Sequence, residues 1–341
     1  MNIEDMVLEY LRESQNPVSG QEMAEKLNTT RNSIWKAVQR LRRAEYEIDA
    51  STNRGYRLVS ESSVLNAENI RRRLKQVAQG VAIDVRPQAS STNTVLKELA
   101  EKGGREGMVV IADHQDQGKG RLGRSFFSPK GLGLYMSVLL RPDFPAEQSL
   151  AITTAASVAV AEAVDRLTGQ RAQIKWVNDV YLHGRKVCGI LTEAALDFES
   201  GRLNYAVLGI GVNVQAPPGG FPEAIRDVAG AIFPEEAPAG ARSRLAAEIL
   251  NRFFEIYRTL PDRKDYMAEY RARSLLNGME VTLRQGSAKW EGLVLGVDEE
   301  ARLIVRLPDG RRKIFGAGEV AIVKKDFLHN LQKKEKGLDE T

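Results

Sequence analysis

Cysteine is almost missing from this chain. Among 341 residues there is one, Cys188, so no internal disulfide can form. Its neighbours in KVCGIL are apolar, which predicts a buried strand residue in place of a nucleophile. Long hydrophobic runs are absent too: none approaches the roughly 20 residues needed to span a bilayer. The opening Met1-Asn2-Ile3-Glu4-Asp5 also lacks the basic region of a signal peptide, so the expectation is a cytoplasmic protein with no membrane partner. Neither sign of charge dominates. With 49 basic and 45 acidic residues the net charge is +4 and the pI is near 9.0, which permits polyanion binding without demanding it. Hydrophobic residues at 43% and charged ones at 28% exclude a disordered chain, and the length allows two or three domains.

Residues 1–62 read as a small unit. Ile3, Val7, Leu8 and Leu11 recur at helical spacing, and Ser19 can cap a second helix over 20–27. Asn28-Thr29-Thr30 makes a turn, and Thr30 can cap a third helix, 31–44. There Ile34, Val38 and Leu41 form one apolar stripe, while Arg31, Lys36, Arg40, Arg42 and Arg43 stay largely outside it. A short helix, a tight turn and a basic helix make a helix-turn-helix, whose second helix enters the major groove. YEIDASTNRGYRL then alternates and turns, predicting a wing with Asn53 and Arg54 at its tip. The DNA-contacting candidates are Thr30, Arg31, Asn32, Lys36, Arg40, Asn53 and Arg54. The competing reading is a protein-interaction module with a solvated basic face.

Residues 63–82 read as a connecting helix whose Arg71, Arg72 and Arg73 form solvated surface. From there to about 272 the pattern alternates. VAIDVRPQAS is a strand, SSTNTVLKELAEKG a capped helix, MVVIADHQD and LGLYMSVLLRPD strands, and TTAASVAVAEAVDRLTG a small-residue helix. IKWVNDVYLHGRKVCGILTEAAL is a strand pair turning near His183-Gly184, and LNYAVLGIGVNVQ a further strand. The class is α+β, multidomain, with a mixed sheet at its centre.

Polar residues interrupt this pattern in three places. Ser91, Thr92 and Asn93 gather at a strand-to-helix junction, where helix capping competes with binding a small polar ligand. In GKGRLGR, residues 118–124, three glycines let backbone N–H groups approach an anion while Lys119, Arg121 and Arg124 supply charge. This is not a P-loop, since the spacing G-x-x-x-x-G-K-S/T is absent. KWVNDVYLHGRK adds Lys175, Asn178, Asp179 and Lys186 around two turns, with Trp176 read as packing.

The stretches QDQGKGRLGRSFFSPKGLGLYMS, IKWVNDVYLHGRKVCGILTE and LGIGVNV, in that order, resemble the catalytic core of the biotin protein ligases, and the N-terminal unit resembles that of the bifunctional ligase/repressors. MEVTLRQ, AKWEGLVLGVD, ARLIVRLPDG, RRKIFGAGEV and AIVK fit the family's C-terminal domain. The resemblance implies a winged helix-turn-helix over 1–62, a linker over 63–82 and an α/β ligase core of the class II aminoacyl-tRNA synthetase and biotin/lipoate ligase type over 83–272. An SH3-like barrel over 276–326 and a charged tail over 327–341 follow. It further implies an enzyme that uses Mg2+, ATP and biotin to form biotinyl-5′-AMP, then transfers biotin to a lysine of a biotin carboxyl carrier domain of a carboxylase. Partners would include operator DNA upstream of biotin genes and, with ligand bound, a second copy in a homodimer.

Carried over by motif position, Ser91, Thr92, Asn93 and Gln115 resemble the residues that hold the ureido ring. Lys119, Gly120 and Arg121 would form loop contacts to biotin. Lys186 would bridge the biotin carboxyl and the phosphate, with Arg121 and Asp179 completing the catalytic set. Arg121, Arg124, Asn178, Asp179, Lys186 and Asn213 would contact ATP, while the magnesium ligands and the residue stacking on adenine stay unassigned. Two departures stand out. Lys119 replaces the first arginine of the usual G-R-G-R, exchanging a planar fork for a point charge, and WVND stands for W-P-N-D. A lipoate ligase, a ligase-dead repressor and an active ligase with a vestigial winged helix are the alternatives.

Overall fold

A computed structural model describes residues 3–322 apart from 15, 44–45, 52–54, 61–64, 198–200 and 263. Asn53, Arg54 and the tail 327–341 lie outside the described residues.

The N-terminal unit consists of α1 (Ile3–Glu13), α2 (Gly20–Lys26), α3 (Arg31–Arg43) and a hairpin of β1 (Glu47–Ser51) with β2 (Gly55–Ser60). Both expected caps form: Ser19 Oγ accepts from the Glu22 N–H and Thr30 Oγ1 from the Ser33 N–H, each at 3.1 Å. Val7, Leu8, Leu11, Met23, Ile34, Val38 and Leu41 make a small core of their own. The hairpin is tied back by backbone bonds between Val18 and Tyr56. This is why Gly55 is glycine: φ is +94° there, and a Cβ would meet the Val18 carbonyl oxygen at 2.2 Å.

The connecting segment differs from its expectation. In place of one linker helix there is a five-residue helix, α4 (Ala67–Arg71), capped by Asn66, followed by a single 3-10 turn at Gln76–Ala78. Of its three arginines only Arg71 is an exposed surface residue. Arg72, with 8% of its side chain exposed, pairs with Asp5 on α1 at 3.4 Å and with Glu68 at 3.2 Å. Arg71 donates to the Ile83 carbonyl and Arg73 to that of Asn69. Ile70 is fully buried and belongs to the central core.

The central unit is a seven-stranded sheet in the order β3-β4-β5-β9-β8-β7-β6. Its strands are β3 (Ala82–Arg86), β4 (Met108–Ala112), β5 (Gly133–Leu140), β6 (Gln173–Lys175), β7 (Asp179–Leu182), β8 (Arg185–Leu196) and β9 (Leu203–Asn213). β3 and β4 run parallel and the other pairs antiparallel, giving the mixed sheet. The expected strand pair around KWVND is three strands. It turns at His183-Gly184 as anticipated, with an earlier turn at 176–178. Alternation along β4, β5 and β9 covers both faces. Val109, Val138 and Leu208 face α6 (Leu150–Thr168) and α7 (Ala241–Tyr257), whereas Val110, Leu139 and Val207 pack beneath Leu96 of α5 (Thr92–Glu101). Cys188 is fully buried on β8, and burial raises its thiol pKa, as its apolar neighbours led one to expect.

A five-stranded antiparallel sheet closes the described chain, in the order β13-β12-β11-β10-β14, from β10 (Glu280–Gln285), β11 (Ala288–Val297), β12 (Leu303–Arg306), β13 (Arg312–Phe315) and β14 (Glu319–Ile322). Its interior is continuous with the central core. Trp176 Nε1 donates to the Ala301 carbonyl at 2.8 Å, which makes that tryptophan a packing residue between the two sheets. No helix among the described residues is long and apolar enough to cross a membrane.

If the connecting segment is part of the core, Ile70→Ala should cost about 2 to 5 kcal/mol. Denaturant unfolding checks this; a loss near zero would return the segment to a solvated linker.

Candidate functional site

The face of the sheet beside α5 is stripped of side chains near the end of the helix. Gly189 pairs with Gly211 across β8 and β9, and Gly209 sits opposite Leu191 and Ser137. A Cβ on Gly209 would lie 2.3 Å from Asn93 Oδ1, and one on Gly211 would lie 2.6 Å from the Phe126 ring. The missing side chains leave a hollow of about 30 Å³ lined by Ser91, Thr92, Asn93 and Gln115. It adjoins a cleft of about 1160 Å³, and Gln115, Lys119, Phe126, Gly189 and Leu191 line both.

In the hollow the three residues at the start of α5 are not a helix cap. Ser91 holds the N-cap position but makes no side-chain cap bond. Instead, Gln115 Oε1 accepts from the Thr92 N–H at 2.9 Å, and Gln115 Nε2 donates to Ser128 Oγ at 2.9 Å. Ser137 Oγ lies 2.7 Å from Thr92 Oγ1 and 2.6 Å from Asn93 Oδ1. Asn93 Nδ2 donates to Glu193 Oε2 at 2.8 Å, and Lys97 Nζ to Glu193 Oε1 at 2.5 Å. Burial pushes the Glu193 carboxyl upward, but the donors Lys97 and Asn93 and the charges of Lys97 and Lys119 outweigh it and hold the group below the usual carboxylate range. Ser137 and Glu193 end two of the stretches that carry the resemblance, but the sequence assigned no role to them or to Lys97, and only the folded sheet brings the three here.

The large cleft collects the remaining ligase candidates. Lys119, Gly120, Arg121, Arg124, Asn178 and Asp179 line it, as do Lys186 and Asn213. The basic loop makes a tight turn at Arg121–Gly123, with Leu122 in the left-handed region at φ 56°. Arg121 donates to Asn178 Oδ1 at 2.9 Å and to the Gly318 carbonyl at 3.4 Å, and Arg124 pairs with Glu319 at 2.6 Å. The C-terminal sheet therefore supplies part of the wall, which no local pattern in the sequence foretold. Segment 216–232 supplies another part: Lys186 exchanges backbone bonds with Val228 and Gly230 at 2.8 Å, and Asn213 Nδ2 donates to the Gly230 carbonyl at 2.9 Å.

Charge in the cleft is mostly positive. Lys186 Nζ stands 2.7 Å from Asp179 Oδ1, an ion pair out of line for a hydrogen bond. Burial lowers Lys175 below the ordinary lysine value, with Asp179 opposing and Lys186 reinforcing the shift. Among the described residues no three His, Cys, Asp or Glu side chains converge as a metal cage. Cations around a hollow of hydrogen-bonding groups can hold a polar uncharged ring beside an anionic group and stabilise further negative charge there.

On the N-terminal unit, Arg31, Asn32 and Lys36 lie exposed on one side of α3, with Trp35 between them at 51% exposure. Arg40 is exposed as well, and its guanidinium also pairs with the buried carboxylate of Glu4 on α1, so this cation links two helices. Arg42 likewise turns back to the Ile48 carbonyl.

Three family profiles match the chain in order. They are the HTH domain over residues 5–57, the Biotin/lipoate A/B protein ligase family over 85–213 and the Biotin protein ligase C terminal domain over 278–323. The chain is similar to the bifunctional ligase/repressor BirA of Bacillus subtilis (strain 168), 32% identical over 308 residues that cover 88% of this chain and 92% of that protein. It is also similar to BirA of Escherichia coli (strain K12), at 28% identity over 89% and 92%. Among solved structures, a biotin protein ligase from Aquifex aeolicus in complex with biotin and ATP shares the fold with a TM-score of 0.59. That match has 29% identity and covers 71% of this chain and 98% of the other.

The Glu193 shift has a pH signature. Because the folded value is depressed, the group adds stability that is present above the ordinary value of 4.5 and is lost as pH falls through the folded value. The gap in melting temperature between the protein and its Glu193→Gln variant should narrow as pH drops from about 7 to about 3. A constant gap would mean that the carboxylate is not stabilised by folding.

Proposed function

The chain belongs to the biotin protein ligase family, and from that membership and its cavities we propose an ATP-dependent biotin protein ligase that is also a biotin-responsive repressor of biotin genes. The observation that carries the reading is a neutral hydrogen-bonding hollow opening onto a cleft lined with cations.

The chemistry asks for this pairing. A carboxylate oxygen must attack the anionic α-phosphorus of ATP while the bond to the β-phosphate breaks and pyrophosphate leaves. In our reading Ser91, Thr92, Asn93 and Gln115 hold the ureido ring, and Lys119, Gly120 and Arg121 meet the valerate end. Lys186 offsets the repulsion between carboxylate and phosphate, with Arg121, Arg124, Asn178 and Asn213 on the nucleotide. Mg2+ would come with the nucleotide and offset charge on its phosphates, and Asp179, a carboxylate of the cleft lining, would help to hold it. The carrier lysine's amine then attacks the acyl carbon and AMP departs, with Asp179 positioning the amine. Closure of the GKGRLGR loop keeps water from the mixed anhydride.

We read the units as a winged helix over 1–62, a linker over 63–82, a ligase core of the class II synthetase type over 83–272 and an SH3-like barrel over 276–326. The protein acts in the cytoplasm, and the liganded form dimerises on operator DNA, contacting it through Thr30, Arg31, Asn32 and Lys36. A lipoate ligase is disfavoured by the C-terminal profile match.

Incubation with biotin, Mg-ATP and a biotin carboxyl carrier domain should add one biotin mass to one lysine; no gain at saturating substrate contradicts the ligase reading. Lys186→Ala should keep the fold and slow adenylate formation by roughly 10² to 10³, and a near-normal rate would move its role elsewhere. Arg31→Ala and Lys36→Ala should weaken operator binding while leaving biotin transfer intact. Anisotropy titrations with and without biotin plus ATP check this. Binding that ignores both ligand and salt would leave the winged helix without a regulatory part.

A further inference from the structure

Resting on the repressor half of the reading above, we propose that Trp35 is a base-reading residue. Its indole lies against the C5-methyl group of a thymine in each operator half-site, and this contact helps to set which sequence the protein binds.

Helix α3 packs inward through Ile34, Ala37, Val38 and Leu41, all buried. A helix turns about 100° per residue, so the opposite arc carries Arg31, Trp35, Gln39, Asn32 and Lys36, in that angular order, across about 140°. Trp35 is the one apolar side chain among these five, and half of it is exposed. Arg40 lies beyond Lys36, at the edge of the arc, where Glu4 holds its guanidinium. Neither the indole N–H nor the side-chain amides of Asn32 and Gln39 have a hydrogen-bond partner among the described residues.

Charge and position select the partner. From Arg31 to Arg43 the helix carries Arg31, Lys36, Arg40, Arg42 and Arg43 and no acid, which fits a groove walled by phosphates. Trp35 is the fifth residue of α3, inside the N-terminal part that a recognition helix sends to base edges. On the floor of the major groove the thymine methyl is the apolar group, set among donors and acceptors. An indole pressed on that methyl removes two apolar surfaces from water. Against another base edge it would strip water from a polar group and return no hydrogen bond. The amides of Asn32 and Gln39 on the same arc match the N6 donor and N7 acceptor of adenine, so the three side chains suit one run of A·T pairs.

The test uses the full chain with biotin and ATP, and the duplex that it enriches from a random-sequence pool. Anisotropy titrations compare that duplex with a copy in which deoxyuridine replaces every thymidine, which removes the methyls and keeps the base pairing. The parent protein should bind the deoxyuridine copy at least about fourfold more weakly for each half-site, the effect of losing one buried methyl. Trp35→Ala should weaken binding to the thymidine duplex and narrow the gap between the two copies by about that factor. Its salt dependence should match the parent's, since no charge is removed, whereas Arg31→Ala should lower the slope. Thermal melts establish that each variant is folded. Enrichment of no duplex would overturn the repressor reading itself. If a duplex is enriched but its half-sites lack thymine, if the parent binds both copies alike, or if Trp35→Ala keeps the parental gap, Trp35 does not read thymine. A kept gap together with a shifted monomer–dimer equilibrium in the DNA-free Trp35→Ala protein would assign the face to contact between protein copies.

Discussion

Three glycines on one face of a sheet decide where everything else can go. Gly189, Gly209 and Gly211 clear a floor in the middle of the strands, and a side chain on either of the last two would collide with Asn93 or Phe126. A sheet buried on both faces normally fills such positions with branched apolar residues, as β4 and β5 do. Leaving them empty forfeits packing contacts, and the space is bounded by a hydrogen-bonded chain from Glu193 to Ser128. A satisfied polar network of this kind is rigid, and its pattern of donors and acceptors is set before a ligand arrives.

Beside that floor the problem is electrostatic. Adenylate formation sets two anions against each other, and the cleft answers with Lys119, Arg121, Arg124, Lys175 and Lys186 around only a few carboxylates. Those cations are held by groups a ligand can displace or share: Arg121 by Asn178 and Gly318, Arg124 by Glu319, Lys186 by Asp179. Since Glu319 opens the last strand of the C-terminal sheet and Gly318 precedes it, the basic loop is joined to that sheet by these contacts. At the other end Arg72 joins α1 to the segment preceding the central sheet. Through it the N-terminal unit, which has a core of its own, is tied to the start of the catalytic unit by an ion pair.

How far this was legible in the sequence depends on where the information lay. Motifs carried by contiguous residues were readable: the caps at Ser19 and Thr30, the basic loop, and the residues from Lys175 to Lys186 around two turns. The Ser91-Thr92-Asn93 cluster was readable as polar and unusual, yet capping competed with binding until the partners Gln115, Ser137 and Glu193 came into view. Those partners sit on three other strands or strand ends, and nothing local distinguishes Glu193 from a solvated glutamate. Arg72 differs for the mirror-image reason. A basic run on a short amphipathic segment is usually solvated, and Asp5, which helps to bury this arginine, lies on a helix far off in sequence. Helix α7 was passed over although RLAAEILNRFFEIY carries helical spacing, because the loop-rich stretch before it, 216–240, obscured its start.

The central claim is that the hollow and the cleft together form an adenylating site for biotin. Isotope exchange between pyrophosphate and ATP tests it most directly, since it isolates the first half-reaction. The account predicts exchange that requires biotin, proceeds without any carrier protein, and is not supported by lipoate. Exchange supported equally by lipoate, or appearing only when carrier is added, would contradict it.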